Sequence, residues 1–204
     1  MLQTTLCYLN IDGKTLMLHR VKKKNDVNHD KWIGIGGKFE HGESPEECML
    51  REFKEETGLT LTKWAYRGLV TFVSDTWCEY MHLFSASAYE GEILPCEEGT
   101  LEWVDTDKLT QLPIWEGDKV FLRLLKERDT FFSLKLVYEG ERLARAGDQG
   151  VGDLGVPAAG DDRVTRAGRG AQVAFEVAHG HGGSRKAGQF NARQGVTYST
   201  TSRP

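Results

Sequence analysis

The 204-residue sequence has few of the features that mark secreted, membrane-spanning or nucleic-acid-binding proteins. Its four cysteines show neither CxxC nor zinc-site spacing, which favours reduced thiols over a disulfide framework. No apolar run approaches the length of a membrane span, and the N-terminus lacks a secretory apolar region. The net charge is only -4, so neither a nucleic-acid polymer nor a membrane surface is an expected partner. These absences predict a cytoplasmic protein.

The composition changes near residue 143. Residues 1–142 contain 12 Lys and 6 Arg, whereas residues 143–204 contain 1 Lys, 7 Arg and 12 of the 23 glycines, with no Ile, Trp, Met or Cys. A segment so poor in large apolar residues cannot offset its chain entropy by burial. We therefore predict one domain at 1–142 and a Gly/Ala/Arg-rich tail at 143–204 that is disordered or of foreign origin, such as read-through. A basic binding arm and a weak metal site at His179 and His181 are alternatives for this tail.

Apolar periodicity within residues 1–142 predicts mixed α/β structure. The pair Asp12-Gly13 between two apolar-rich runs is typical of a hairpin turn. The predicted elements are strands at 4–11, 15–21, 65–74, 79–89, 100–105 and 131–138, a short extended run at 32–39, and helices after residue 44 and at 118–128.

The ends of the first helix are marked by capping residues. Ser44 followed by Pro45 and Glu47 supplies an N-cap, a proline at the first helical position and a capping-box glutamate. Gly58 is the matching C-terminal stop. The sequence therefore predicts a helix from Pro45 to about residue 57.

Three carboxylates share one face of this helix. Glu52, Glu55 and Glu56 are three and four residues apart, so their like charges repel and cost a few tenths of a kcal/mol per pair. A divalent cation would remove that cost, and Mg²⁺ or Mn²⁺ suits oxygen ligands. The alternative is a solvated acidic face, which is the usual meaning of a charge run.

A glycine-rich loop, Gly34-Ile35-Gly36-Gly37, precedes the helix. Glycines permit close backbone approach, so this loop can place carbonyls and amides beside a metal ion and a phosphate. A tight turn between a strand and a loop is the alternative. Glu43 and Arg51 complete a pattern that a merely solvated helix face does not require.

Residues 37–59, GKFEHGESPEECMLREFKEETGL, resemble the box of the Nudix hydrolases at all nine of its specified positions. The resemblance implies an α/β/α sandwich around a mixed β-sheet and metal-dependent hydrolysis of a nucleoside triphosphate or related diphosphate. It also implies that Arg51 pairs with Glu43. The implied metal ligands are Gly36, Glu52, Glu55, Glu56 and, from a later loop, Glu98, which could instead act as the base. The alternative for Glu97 and Glu98 is a solvated pair of loop residues.

Residues 1–140 resemble, more narrowly, the oxidised purine nucleoside triphosphate hydrolases of that family. The matching stretches are 31–38, 114–118 and the final strand from Phe131. This likeness implies that the substrate is contacted by Trp32, Ile33, Gly37, Lys38, Trp115 and Asp118. The animal enzymes of this branch place asparagine at the position of Ile33 and an acidic residue at that of Gly117. Alternatively, Trp115 caps the core and Asp118 only begins a helix.

The expected reaction is conversion of 8-oxo-dGTP to 8-oxo-dGMP and pyrophosphate. The downstream proline and tyrosine signatures of the ADP-ribose and dinucleoside polyphosphate branches are absent. Hydrolysis of another nucleoside diphosphate derivative is the first alternative. A catalytically silent, nucleotide-binding regulatory module is the second. Every box carboxylate is retained, which favours an enzyme.

Overall fold

The computed structural model describes residues 2–22 and 27–148 and the backbone of 152–153. In chain order its elements are β1 (Leu2–Ile11), β2 (Lys14–His19), β3 (Trp32–Ile33), α1 (Pro45–Thr57), β4 (Thr60–Val73), β5 (Cys78–Glu90), β6 (Thr100–Asp105), a 3-10 helix (Thr106–Gln111), α2 (Glu116–Glu127), β7 (Phe132–Glu139), β8 (Arg142–Asp148) and β9 (Gly152–Asp153).

The strands of the described residues form one mixed sheet. Its order is β3-β2-β1-β5-β4-β7-β8-β9, with β6 also paired to β2. The pairs β1–β5 and β4–β7 are parallel, and the other pairs are antiparallel. Asp12 and Gly13 have φ values of 48° and 77°, as a tight β1–β2 hairpin requires.

Apolar side chains fill both faces of the sheet. Alternation along β1 sends Leu6 and Tyr8 to the core under α2, and Cys7 and Leu9 to the core under α1. The helices therefore lie on opposite faces, which confirms the predicted α/β/α sandwich. Within the described residues, no helix is long and apolar enough to cross a membrane.

The predicted caps of α1 are present. The Glu47 backbone N–H donates to Ser44 Oγ at 3.2 Å, and the Ser44 N–H donates to the Glu47 carboxylate at 2.8 Å. Gly58 adopts φ 78° at the C-terminal end. These local signals fix where the acidic face begins and ends.

The sheet continues past residue 142, the predicted end of the domain, because β8 pairs with β7 as far as Asp148. Leu143 and Ala146 are 3% and 0% exposed, and buried Asp148 pairs with Arg128. The buried positions of β8 are thus one leucine, one alanine and one paired aspartate, a set that composition alone did not indicate as core. The tail predictions for residues 149–204, including His179 and His181, concern residues outside the described ones, apart from the two-residue strand β9.

Candidate active site

Arg51 ties the loop before α1 to the helix. Its Nε and Nη2 donate to the two carboxylate oxygens of Glu43 at 2.6 and 2.9 Å, and Nη2 also reaches the Lys38 carbonyl at 3.0 Å. Such paired hydrogen bonds are strong and directional. They hold the pKa of Glu43 at about 2, well below its usual value. The expected pairing of Arg51 with Glu43 is therefore present.

The same arginine reaches two of the three carboxylates on α1. Its Nη1 donates to Glu52 at 2.9 Å and to Glu55 at 3.2 Å. Glu56 instead accepts the Gly36 N–H at 3.3 Å. Burial, followed by the nearby charges of Glu98 and Glu52, raises the pKa of Glu56 to about 8. Carboxyls that cannot all ionise together form the kind of site that a cation stabilises.

The glycine loop lies directly on the helix and on β1. A Cβ on Gly37 would lie 2.4 Å from the Glu52 carboxylate, and one on Gly36 would lie 2.2 Å from the Thr5 carbonyl oxygen. Backbone hydrogen bonds fasten the loop, since the Thr5 N–H donates to the Gly37 carbonyl at 2.8 Å. A side chain at Gly36 would clash with backbone, and one at Gly37 would displace the Glu52 carboxylate, which agrees with the close approach predicted for the loop.

Glu98 reaches the site through strand pairing. It precedes β6, which pairs with β2 and thus brings Glu98 to Arg20 at the end of β2, where the two form an ion pair. Glu98 is also close enough to Glu56 to raise the pKa of that carboxyl. Sequence reasoning missed Arg20, because its partner lies 78 residues away and no local spacing connects them.

The oxygen donors of this region fit a divalent metal. Among the described residues, no three His, Cys, Asp or Glu side chains are grouped closely enough to hold an ion between them. Glu52, Glu55 and Glu98 each form an ion pair with an arginine. Carboxylates together with a backbone carbonyl are still the donors that Mg²⁺ prefers, and Mg²⁺ sites commonly need only one or two carboxylates plus substrate phosphates.

Two tryptophans gather at the other end of the glycine loop. The backbone N–H of Trp32 donates to the Pro113 carbonyl at 3.0 Å, which joins β3 to the segment before α2. Trp115 donates its ring N–H to Asn28 at 2.8 Å, and Lys31 Nζ lies 4.8 Å from the Trp115 ring centre. Both tryptophans pack against the α2-side core. The structure therefore brings the two predicted aromatic residues into adjoining segments.

Asp118 lies in the first turn of α2, beside Trp115, whose carbonyl accepts the Asp118 N–H at 3.0 Å. Burial of the carboxyl raises the pKa of Asp118 to about 7. At Gly117 a Cβ would lie 2.7 Å from Tyr138 Oη, which accepts the Gly117 N–H. The tyrosine therefore fills the space that a second acidic side chain would need.

Trp32 and Ile33, both predicted to contact the substrate, are neighbours in β3. Ile33 packs against the α1-side core, whereas Trp32 packs against the α2-side core. Neighbouring residues of a strand face opposite sides of the sheet, which is why the two side chains pack against different cores. Lys38, at the end of the glycine loop, has an exposed side chain, and its backbone carbonyl accepts the hydrogen bond from Arg51.

Comparison with known proteins agrees with this geometry. Residues 2–125 match the NUDIX domain model, more than half of the chain, so the protein belongs to the Nudix family. The Nudix hydrolase YvcI of Bacillus subtilis is 32% identical over 124 residues, covering 57% of this chain and 73% of YvcI. The oxidized purine nucleoside triphosphate hydrolase of Danio rerio is 33% identical over 111 residues, covering 53% and 71% of the two chains.

A solved structure shows the same architecture. The MutT mutator protein of Bacillus halodurans superposes with a TM-score of 0.66 at 27% identity, covering 74% of this chain and 99% of its own. The protein is thus a hydrolase of phosphoric anhydrides that acts on nucleotide diphosphate derivatives. Nudix hydrolases generally use divalent metals such as Mg²⁺.

Proposed function

We propose that this protein hydrolyses purine nucleoside triphosphates, oxidised ones such as 8-oxo-dGTP included, to the monophosphate and pyrophosphate. The observation that carries the proposal is the course of residues 32–37, which run from Trp32, in the α2-side core beside Trp115, to Gly37 against Glu52. One short segment thus joins an aromatic region to an acidic, glycine-lined region. The 33% identity to the Danio rerio hydrolase supports the same substrate class.

The phosphates would lie at the acidic end. There Glu52, Glu55, Glu56, Glu98 and the Gly36 carbonyl would hold Mg²⁺, or alternatively Mn²⁺, which when bound polarises phosphoryl oxygens and lowers the pKa of water. Arg51 holds the loop against α1, because it donates to Glu43 and the Lys38 carbonyl in the loop and to Glu52 on the helix. The exposed Lys38 side chain would pair with phosphate charge. Glu98, paired with Arg20, is our candidate for either a further ligand or the general base.

The base would lie between the two tryptophans and α2. Trp115 offers an indole face for stacking, and its edge is held by Asn28. The pKa of Asp118, about 7, lets this carboxyl accept or donate a hydrogen bond near neutral pH. Ile33 packs against the α1-side core, so Asp118 would make the main side-chain hydrogen bonds to the base.

Steady-state kinetics on normal and oxidised nucleotides with Mg²⁺ test this proposal. We expect Trp115→Ala to raise KM for purine triphosphates by about tenfold, since stacking on an aromatic side chain contributes about 1–3 kcal/mol per base. Asp118→Asn should change the ratio of kcat/KM for 8-oxo-dGTP over dGTP more than it changes the overall rate. Trp64→Ala is the matched control, because Trp64 is partly exposed and packs on Phe84 in the α1-side core.

Two results would contradict the proposal. One is faster hydrolysis of another nucleoside diphosphate derivative than of any triphosphate. The other is tight nucleotide binding without turnover, which would indicate a regulatory module.

A further inference from the structure

Tyr8 carries a buried hydroxyl that has no use in the mechanism described so far. The residue is only 2% exposed, and its Oη has no hydrogen-bond partner in the part of the chain that the structure describes. The Gly34 amide lies near the hydroxyl but outside hydrogen-bond geometry. An unsatisfied buried hydroxyl costs folding free energy, so its presence calls for an explanation.

The surroundings of Tyr8 place its hydroxyl end next to the base region. Its ring centre lies 6.1 Å from that of Phe121 on α2. Asp118 precedes Phe121 by three residues, so the two share a helix face one turn apart. On the other side, a Cβ on Gly34 would lie 3.1 Å from the ring carbon that bears the hydroxyl. Tyr8 therefore lies between the glycine loop and the face of α2 that carries Asp118.

Electrostatics agrees with this placement. After burial, the charge of Asp118 is the largest influence that raises the pKa of Tyr8. The same carboxyl also raises the pKa of Tyr138, whose hydroxyl oxygen already accepts the Gly117 N–H. Of the two phenols near Asp118, Tyr8 is the one with both its proton and its oxygen uncommitted.

We propose that Tyr8 is a positioning residue for base recognition: its hydroxyl donates to the Asp118 carboxyl when an oxidised purine is bound and fixes which carboxyl oxygen faces the base. This inference rests on the proposed function, because it needs a base beside Asp118. The hydrogen bond compensates for the side chain of Ile33, which faces the other core and supplies no polar group. Tyr8 itself does not touch the reacting phosphates.

Tyr8→Phe removes one oxygen and keeps the ring. Because the lost hydroxyl has no hydrogen-bond partner among the described residues, we expect an unchanged or higher Tm. The ratio of kcat/KM for 8-oxo-dGTP over dGTP should change about fivefold, the scale of one net hydrogen bond. The control is Tyr66→Phe, whose hydroxyl bonds to His82 Nδ1 at 2.5 Å on the α1 side. That variant should lose Tm and keep the parental ratio.

A double-mutant cycle separates positioning from packing. If Tyr8 acts through Asp118, Tyr8→Phe should have no further effect on the ratio in an Asp118→Asn background. An unchanged ratio in Tyr8→Phe, alongside a changed ratio in Asp118→Asn, would overturn the role of Tyr8 and leave the proposed function standing. An unchanged ratio in Asp118→Asn would instead overturn the base-reading part of the proposed function, and the role of Tyr8 with it.

Discussion

Arg51 makes it possible for α1 to carry three glutamates on one face. Its guanidinium pairs with Glu52 and Glu55 while it holds Glu43 bidentately, so the charges are partly neutralised before any cation binds. Glu56 has no such arginine contact and, being mostly buried, takes up a proton more readily. At the scale of single residues, the site is thus built so that Glu56 is the carboxyl most in need of a cation.

Glu56→Gln tests the metal assignment. The amide keeps the shape of the side chain but removes its charge, so we expect kcat to fall by about a hundredfold or more, with the fold retained. Glu97→Gln, next to Glu98 and exposed, is the control and should keep parental turnover. Near-normal kcat in a folded Glu56→Gln protein would rule Glu56 out as a ligand.

The raised pKa of Glu56 predicts how stability depends on pH when metal is removed. The folded protein binds this proton more tightly than the unfolded chain, with a pKa of about 8 against the ordinary 4.5. Its contribution to stability is therefore complete below about pH 4.5 and is lost as the pH rises through 8.

Urea unfolding between pH 5 and 9 in EDTA measures this effect. The free energy of unfolding of the parent, minus that of Glu56→Gln, should decrease with rising pH. Mg²⁺ added at pH 8 should raise the stability of the parent more than that of the variant. A difference that stays flat with pH would show that Glu56 is ionised throughout.

At the scale of elements, the sequence predicted features that depend on neighbouring residues and missed those that depend on contacts distant in the chain. Both ends of α1 follow from Ser44, Glu47 and Gly58, which act within one turn of the helix. The pairing of β6 with β2, which brings Glu98 to Arg20, depends on contacts far apart in sequence and has no local signal. Strand β8 was missed because its buried positions include a small residue, Ala146, that composition alone does not count as core.

The cap of α1 gives a test at this scale. Ser44→Ala removes the acceptor for the Glu47 N–H and half of the capping box, so we expect a loss of about 1 kcal/mol in the free energy of unfolding. Ser87→Ala, at an exposed position of β5, should change stability by less than about 0.5 kcal/mol. Equal values for the two variants in urea unfolding would show that other contacts fix the start of α1.

At the scale of the whole domain, the proposed site spans both faces of the sheet. The base region belongs to the α2-side core and the carboxylates to α1 on the other face, with residues 32–37 passing between them. Strand β7 contributes to the first region through Tyr138, whose hydroxyl accepts the Gly117 N–H at the start of α2. Strand β8 covers the edge of β7, so the C-terminal end of the sheet supports the base region indirectly.

Two truncations locate where the folded domain ends. Removal of 154–204 should leave Tm and activity nearly unchanged, because this segment has a single Leu and no Ile, Trp, Met or Cys to bury.

Removal of 142–204 also deletes β8, and with it buried Leu143 and Ala146 and the partner of Arg128. It exposes the edge of β7 as well. We expect Tm to fall by about 10 °C or more in a thermal melt, since losing one buried leucine side chain typically costs about 2–5 kcal/mol. KM for purine triphosphates should rise as Tyr138 loosens. A parental Tm after removal of 142–204 would show that β8 is dispensable. A large fall in Tm after removal of 154–204 would show that this segment contributes to the stability of the domain.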